Sequence, residues 1–344
     1  CARLMNDRFA LCLPREEFDE KRVADSIKEL QREFSGNSFH LHTYMGVYEI
    51  RDRDEAVSIM VDKANIAADT IKNNYDCCVA YYDEHLLEIS IEQRRLLGEF
   101  EPALQKDEFA MYLQPQVNRD GVASGAEALV RWVHPSRGIL TPYAFIDILE
   151  NAGLIYKLDL YIWEKAAQKL AEWKEKGYGS YHISVNISTK DFYIIDIYET
   201  FTGLINKYGI AASNLHLEIT ETTLMTDFEK NMNIIHKLQG VGFRVEIDDF
   251  GSGYSSLNML KDISADVLKI DMGFLRKSEN EVKGQDILES IIALAGKIGM
   301  DVITEGVETK KQLDMLTMMG CHEFQGYYFS KPVPVSKFEE KYLV

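Results

Sequence analysis

Eight short apolar segments, spaced along the chain from Phe109 onwards, constrain the fold more than any other feature of the sequence. They lie at 110–115, 126–132, 182–187, 215–219, 243–248, 266–270, 301–304 and 322–325. Helix-like segments separate most of them, and strands that alternate with helices usually pair in parallel. The pattern therefore predicts an α/β fold with a parallel sheet, and eight such units favour a closed (β/α)8 barrel.

Polar residues occur near the point where each predicted strand ends. The set comprises Glu127, Asn186, Glu218, Glu221, Asp248, Asp249, Lys269, Glu305, Glu308 and Gln325. One acid at a strand end commonly caps the next helix. In a (β/α)8 barrel, however, the carboxyl ends of all strands converge on one face, where active sites form. Because these residues recur in order at successive strand ends, we expect them to form one site.

Several converging carboxylates repel one another unless cations or protons offset their charge. Carboxylate oxygens together with the amide oxygen of Asn186 favour Mg²⁺ or Mn²⁺ over zinc. The adjacent Asp248 and Asp249 in "EIDDFGSGYSS" could bridge two metal ions about 3.5–4 Å apart, an arrangement used for phosphoester hydrolysis. Gly251 and Gly253 would then let the following loop turn back over the site.

The overall composition limits the partners that we expect. The net charge of -17 argues against binding of duplex nucleic acid, but it allows a small phosphorylated ligand held by metal ions. No apolar run is long enough for a membrane segment, and the five cysteines show no CxxC spacing. We therefore expect free thiols and a cytoplasmic location. Because the chain begins with Cys1, we also expect upstream parts, which could be membrane-associated.

The patterning divides the chain into three parts. Residues 1–83 are typical of an α/β half-domain, with strands predicted at 8–13, 39–48 and 77–82 and helices at 17–34 and 54–73. Residues 84–107 are charged and predict a linking helix. Residues 108–344 contain the eight predicted barrel strands.

A series of motifs in the chain resembles the EAL domain family. The motifs are "EALVRW", "VNIS", "LEITET", "DDFGSGYSSL", "LKID", "TEGVET" and "FQGYYFSKP", and the resemblance covers about residues 95–344. It implies a modified (β/α)8, TIM-like barrel that hydrolyses cyclic di-GMP to linear pGpG with Mg²⁺ or Mn²⁺ in a two-metal site. It also implies a homodimer formed through the barrel.

The resemblance assigns a role to individual residues. The implied metal ligands are Glu127, Asn186, Glu218, Asp248, Asp249 and Glu305. Lys269 matches the lysine near the attacking water, so the implied catalytic residues are Lys269, Asp249 and Glu127. Gln114, Leu129, Arg131 and Gln325 match substrate contacts, and Glu221 and Glu308 match residues that anchor loops. One departure is Glu246, which replaces a residue that is usually small or apolar.

The first 83 residues resemble the second half of a GGDEF domain, the diguanylate cyclase fold. The five signature positions are Met5, Asn6, Asp7, Arg8 and Phe9. Both signature glycines are missing, which hinders close approach of the backbone to a phosphate. The acidic fourth position has become Arg8, which reverses a charge needed to hold Mg²⁺. The resemblance therefore implies a degenerate, partial domain without cyclase activity that acts as a scaffold, a docking surface or a GTP-binding module.

Two other functions fit the same residues. The barrel could be a catalytically silent cyclic di-GMP receptor or regulatory scaffold that signals through the linking helix. Alternatively, it could be an unrelated metal-dependent barrel hydrolase. Metal dependence of ligand binding separates receptor from enzyme, because hydrolysis needs the metal whereas a receptor can bind without it.

Overall fold

The computed structural model describes residues 1–5, 7–34, 41–72, 77–250, 263–272 and 281–343. The chain divides into two compact units, Cys1–Gly98 and Glu99–Val344, and the division falls within one long helix, α3 (Glu84–Gln105). The domain limits predicted from the sequence, at residues 83 and 107, remain predictions.

The larger unit is built around a closed barrel of eight strands. The barrel strands are β5 (Phe109–Val117), β6 (Ala123–His134), β8 (His182–Ile187), β9 (Leu215–Thr220), β10 (Val245–Phe250), β11 (Val267–Asp271), β12 (Asp301–Glu305) and β13 (Glu323–Phe324). They pair in the order β5, β13, β12, β11, β10, β9, β8, β6, and β6 pairs with β5 to close the ring. Two short strands extend the sheet, β7 (Gly138–Leu140) beside β6 and β14 (Val333–Pro334) beside β5.

The eight predicted strands are all present, but the prediction that they are all parallel was wrong for the first. Strand β5 runs antiparallel to both of its barrel neighbours, β6 and β13. Only 118–122 connect β5 to β6, whereas a parallel pair needs a crossover of a dozen or more residues. A hairpin is therefore the only connection that this short segment allows.

Helices cover the outside of the barrel. They are α4 (Ile146–Ala152), α5 (Ile155–Glu175), α6 (Asp191–Ile194), α7 (Ile197–Tyr208), α8 (Glu221–Thr226), α9 (Phe228–Val241), α10 (Glu281–Lys297), α11 (Lys310–Met318) and α12 (Val335–Tyr342), with short 3-10 turns at Pro142–Ala144 and Ala212–Asn214. Helix α5 buries one apolar face, which includes Trp163 and Trp173. Trp163 packs on Phe201 of α7, with ring centroids 4.5 Å apart. None of the helices that the structure describes is long and apolar enough to cross a membrane.

The smaller unit contains two separate pairs of strands. Strands β1 (Ala2–Met5) and β2 (Arg8–Ala10) are antiparallel, and β3 (Met45–Val47) and β4 (Val79–Tyr81) are parallel. A 3-10 turn (Arg15–Glu17) and helices α1 (Glu20–Phe34) and α2 (Val57–Asp69) complete its elements before α3. Its small core centres on Ile27, Cys78 and Val79. Asn6, in the predicted signature, lies outside the described residues.

A pair of aspartates beside the barrel predicts a pH effect on stability. Burial and the neighbouring charge of Asp191 raise the pKa of Asp159 well above its usual value. The folded chain therefore retains a proton that the unfolded chain releases above about pH 4. The contribution of this proton to the unfolding free energy is fully present below about pH 4. It is lost as the pH rises through the pKa that Asp159 has in the folded chain.

We expect Asp159→Asn to reduce the fall in unfolding free energy between pH 5 and pH 8. Each unit by which the pKa is raised corresponds to about 1.4 kcal/mol. Thermal melts at several pH values measure this slope, with Asp286→Asn on the exposed surface of α10 as the control. The same slope in wild type and Asp159→Asn would contradict the shifted pKa.

Candidate active site

The side chain of Lys269 lies at the centre of a carboxylate cluster inside the barrel. Its Nζ is 2.6 Å from Glu305 Oε1 and 2.7 Å from Glu218 Oε1. Glu127 Oε2 and Asp248 Oδ1 lie slightly further from it, at 3.5 Å and 3.6 Å. The lysine is fully buried, so these groups interact with little screening by water.

Strand register brings these residues together. Glu218 on β9 is level with Asn186 on β8, and Asp271 on β11 is level with Glu305 on β12. Successive side chains on a strand point to opposite faces, so alternate residues enter the barrel. Asn186 Nδ2 donates a hydrogen bond of 3.2 Å to Glu127 Oε1. Six strands, β6 and β8 to β12, thus contribute a carboxylate, an amide or the lysine to one site.

The two adjacent aspartates occupy an irregular end of strand β10. The register between β10 and β11 shifts between Ile247 and Phe250, which marks a β-bulge. Asp249 within it has φ of 57°, in the left-handed region that few residues other than glycine, asparagine and aspartate adopt. In a regular strand, neighbouring side chains point to opposite faces. The bulge therefore changes the direction of the Asp249 carboxylate relative to that of Asp248. Asp249 remains close enough to Asp248 and Asp271 for their charges to raise its pKa, together with the larger effect of burial.

The protonation of the cluster depends on this crowding. Burial alone would lower the pKa of Lys269, but Asp248, Glu127, Glu218 and Glu305 together raise it well above its usual value. Burial and the charges of Asp248 and Glu127 raise the pKa of Glu305 to about 8, although Lys269 opposes them. Burial, followed by the charge of Glu127, raises the pKa of Glu218 well above its usual value. Lys269 is therefore charged. Protons held by Glu305 and Glu218 offset part of the negative charge that the lysine leaves unbalanced.

The residues of the cluster fit divalent metal ions. Four carboxylates surround a single ammonium, so three negative charges lack a counter-charge when all four are ionised. Glu218 Oε2 is buried without a hydrogen-bond partner in the described part of the chain. Carboxylate and amide oxygens are the donors that Mg²⁺ and Mn²⁺ prefer. Metal ions here would replace the protons that the crowded carboxylates otherwise retain.

The side chains predicted to contact substrate extend from the cluster. Gln325 Nε2 donates to Glu127 Oε2, and it lies 3.5 Å from Gln114 Oε1. Gln114 faces Glu127 across the β5–β6 pair. Arg131 is four residues beyond Glu127 on β6, and its guanidinium lies over the Tyr112 ring at 5.6 Å. Leu129 lies between Glu127 and Arg131 on the same strand and is half-buried.

The two predicted loop-anchoring glutamates follow the strand ends that carry Glu218 and Glu305. Glu221 begins helix α8 directly after β9, and Glu308 lies between β12 and α11 with its backbone N–H donating to Gln312 Oε1. The predicted loop from Phe250 to Leu257, including Gly251 and Gly253, lies outside the described residues beyond Phe250. The anchoring role of Glu221 and Glu308 therefore stays a prediction.

One acid of the site, Asp271, was not predicted from the sequence. Asp271 is the last residue of β11, two positions after Lys269, and its charge contributes to the raised pKa of Asp249. Gly306, at φ of 69°, lies so close that an added Cβ would be 3.2 Å from Asp271 Oδ1. The motif "LKID" already contained this aspartate at a strand end, so the rule that selected Glu305 would also have selected Asp271.

Comparison with known proteins agrees with this geometry. The sequence model of the EAL domain family matches residues 98–332, which is more than half of the chain. The chain belongs to the EAL domain family. Its EAL barrel contains the carboxylate cluster, the lysine and the substrate-side residues described above.

Two curated relatives are similar over much of the chain. A bifunctional diguanylate cyclase/cyclic di-GMP phosphodiesterase, MucR of Pseudomonas aeruginosa, is 30% identical over 98% of this chain and 50% of its own length. The cyclic di-GMP phosphodiesterase PdeR of Escherichia coli is 33% identical over 70% of this chain and 36% of its own length. The chain thus spans half or less of these relatives.

A solved structure supports the same assignment of the fold. The PaMucR phosphodiesterase in complex with c-di-GMP is 33% identical to this chain, with a TM-score of 0.67. The match covers 71% of this chain and 99% of the PaMucR chain.

Proposed function

We propose that the EAL barrel hydrolyses cyclic di-GMP to linear pGpG. The carboxylate cluster around Lys269 carries this proposal, because it combines donors for divalent metal ions with a buried cation that can stabilise developing negative charge. Relatives named cyclic di-GMP phosphodiesterases, and the PaMucR complex with c-di-GMP, support the choice of substrate.

The implied metal ligands are Glu127, Asn186, Glu218, Asp248, Asp249 and Glu305, and we add Asp271 as a further acid of the site. Bound Mg²⁺ or Mn²⁺ would polarise a water molecule and the phosphate oxygens. Mg²⁺ and Mn²⁺ fit the oxygen donors equally well.

Side chains of the barrel bind the substrate and assist the attack of water. Arg131 contacts the phosphate, while Gln114, Leu129 and Gln325 contact the rest of the dinucleotide. Lys269 donates a hydrogen bond to the attacking water and stabilises the negative charge that develops on the phosphate. Asp249 accepts a proton from that water. The water oxygen bonds to phosphorus as the bond to the 3′ oxygen breaks. The proton held by Asp249 then returns through solvent to that oxygen, which becomes the 3′ hydroxyl of the linear product.

A product assay tests the proposal. We would incubate the chain with cyclic di-GMP in Mg²⁺, in Mn²⁺ and in chelator, and separate the products by chromatography. Linear pGpG formed only with metal is the expected result. Binding without any product, retained in chelator, would overturn hydrolysis and favour the receptor function.

Glu221 provides a test of indirect support for the metal site. If it anchors the loop that positions Asp248 and Asp249, Glu221→Gln should raise the Mn²⁺ concentration for half-maximal activity about 10–100-fold. Saturating Mn²⁺ should restore most of the turnover, because the ligands themselves remain. Glu229→Gln, on the exposed side of α9, is the matched control. A wild-type Mn²⁺ dependence in Glu221→Gln would contradict the anchoring role.

We infer that the smaller unit is a degenerate, partial GGDEF domain that serves as a scaffold. The alignment with MucR supports this origin, since it extends over 98% of this chain and MucR is named a diguanylate cyclase as well. Arg8, at the altered signature position, faces Asp69 at 4.0 Å. We expect that the chain does not synthesise cyclic di-GMP from GTP.

We also propose that the chain forms a homodimer through the barrel. Light scattering, which measures the mass of the particle in solution, would test this assembly.

A further inference from the structure

Trp163 of helix α5 contacts the backbone that carries Asn186, one of the implied metal ligands. Its indole Nε1 donates a hydrogen bond of 2.9 Å to the carbonyl oxygen of Asn186. The indole is fully buried and packs against Phe201, with ring centroids 4.5 Å apart. A buried indole N–H needs an acceptor, and here the acceptor belongs to the residue that presents an amide to the candidate site.

Strand pairing around Asn186 is one-sided. The register of β8 with β6 ends at Ser184, whereas its register with β9 continues through Asn186 to Ile187. In this described part of the barrel, β9 alone therefore extends the ladder to Asn186. The hydrogen bond from Trp163 adds a second constraint on the backbone at this point.

The Asn186 side chain depends on that backbone for its position. It is exposed at the carboxyl end of β8, and its Nδ2 donates to Glu127 Oε1 at 3.2 Å. Because the side chain is short, a shift of the peptide group moves the amide by a similar distance. Metal sites keep their ligand distances within about 0.2 Å, so even a small shift of the amide weakens binding.

Helix α5 makes a second contact with the same segment, one turn before Trp163. Asp159 and Trp163 are four residues apart and therefore lie on one face of the helix. Asp159 forms a hydrogen bond with the fully buried Asp191. Asp191 Oδ2 in turn accepts a hydrogen bond of 2.9 Å from the backbone N–H of Ser188. The helix thus holds two consecutive peptide groups, beginning with that of Asn186.

We propose that Trp163 is a positioning residue for the metal site, whose indole N–H fixes the peptide group of Asn186 and thereby places the Asn186 amide for a divalent ion. This inference rests on the proposed metal-dependent hydrolysis, in which Asn186 is a metal ligand. Residues that orient metal ligands typically contribute about 10–100-fold to metal affinity. Trp163 acts through the backbone of Asn186 rather than by contact with the ion.

Trp173 on the same helix provides a matched control. It is also fully buried, its Nε1 donates a hydrogen bond of 2.8 Å to Glu339 Oε1, and its ring stacks on Phe338 with centroids 5.6 Å apart. Both partners belong to the outer helix α12. Trp173→Phe therefore removes the same kind of buried hydrogen bond away from the metal site. If Trp163 only packed the core, Trp163→Phe and Trp173→Phe would leave metal affinity alike.

Binding of Mn²⁺ to the whole chain tests the proposal without any turnover. The electron paramagnetic resonance signal of free Mn²⁺ falls as the ion binds, so a titration gives the dissociation constant. Wild type should bind Mn²⁺ at a site that Glu127→Gln weakens. Trp163→Phe should raise the dissociation constant of this site about 10-fold, and Trp173→Phe should leave it unchanged.

A second variant separates the hydrogen bond from the size of the side chain. Benzothienylalanine, introduced at position 163 alone, keeps the shape of the indole but has sulfur in place of the N–H group. It should weaken Mn²⁺ binding as much as Trp163→Phe does. Wild-type affinity in this variant, or an equal loss of affinity in Trp173→Phe, would overturn the positioning role.

The same titration distinguishes failure of this inference from failure of the proposed hydrolysis. A wild-type chain that binds no Mn²⁺ in a Glu127-dependent manner would overturn the positioning role. A wild-type chain that binds Mn²⁺ but never cleaves cyclic di-GMP would overturn the hydrolysis alone. In that case, the weaker Mn²⁺ binding of the two variants at position 163 would still support the role of Trp163.

Discussion

Lys269→Met should reduce the turnover of cyclic di-GMP by about 10²–10⁴-fold, the range typical for loss of one positioned catalytic group. The ammonium lies within 3.6 Å of four carboxylates, and methionine offers similar volume without charge or donors. The variant removes the hydrogen bond to the attacking water and the charge that stabilises the developing negative charge. The loss should appear in kcat at saturating Mn²⁺.

The same substitution should have a metal-dependent effect on stability. Removing one partner from a buried ion pair typically costs about 3–5 kcal/mol, because the other charge stays buried. In chelator, thermal melts of Lys269→Met should therefore show a clear loss of stability, and added Mn²⁺ should restore part of it by supplying positive charge. Lys169→Met, which removes an ion pair with Glu339 outside the barrel, is the control. Near-normal turnover in Lys269→Met would refute the role of the lysine.

Glu127→Gln should reduce turnover by about 10³-fold while the barrel remains folded. Glu127 contacts Asn186, Gln325 and Lys269, and glutamine keeps its shape but removes its negative charge. Metal ions typically contribute several kcal/mol of transition-state stabilisation. At about 1.4 kcal/mol for each tenfold change, losing that contribution corresponds to about 10³-fold in kcat.

The control for Glu127→Gln is Glu164→Gln, which removes an exposed carboxylate that pairs with Lys207 on the outer helices. Thermal melts in chelator should show both variants folded. Unlike Glu221→Gln, the Glu127→Gln variant should not recover at saturating Mn²⁺, since a proposed ligand itself has changed. Turnover within tenfold of wild type would remove Glu127 from the proposed ligand set.

The barrel strands and most of the candidate site were predictable from the sequence, because both follow from local patterns. Apolar segments identify strands, and polar residues at their ends identify the face where a barrel forms its site. The direction of β5 was not predicted, since the apolar pattern of a strand is the same in either direction. Only the short connection at 118–122 contained that information.

Contacts across strands were harder to predict than the strands themselves. Lys269 was expected near an attacking water, but its position among four carboxylates depends on strand register, which no single motif encodes. The left-handed conformation of Asp249 likewise follows from a bulge between β10 and β11. Glu246 was noticed as an unusual residue, but its pairing with His216 joins two strands 30 residues apart in sequence.

The most direct test of the proposed hydrolysis is turnover of cyclic di-GMP in H₂¹⁸O, followed by mass spectrometry of the product. We predict metal-dependent formation of linear pGpG with one ¹⁸O atom in its terminal phosphate, since the solvent oxygen becomes bonded to phosphorus. Intact cyclic di-GMP after prolonged incubation with Mg²⁺ or Mn²⁺, or linear product without the label, would contradict the proposed reaction.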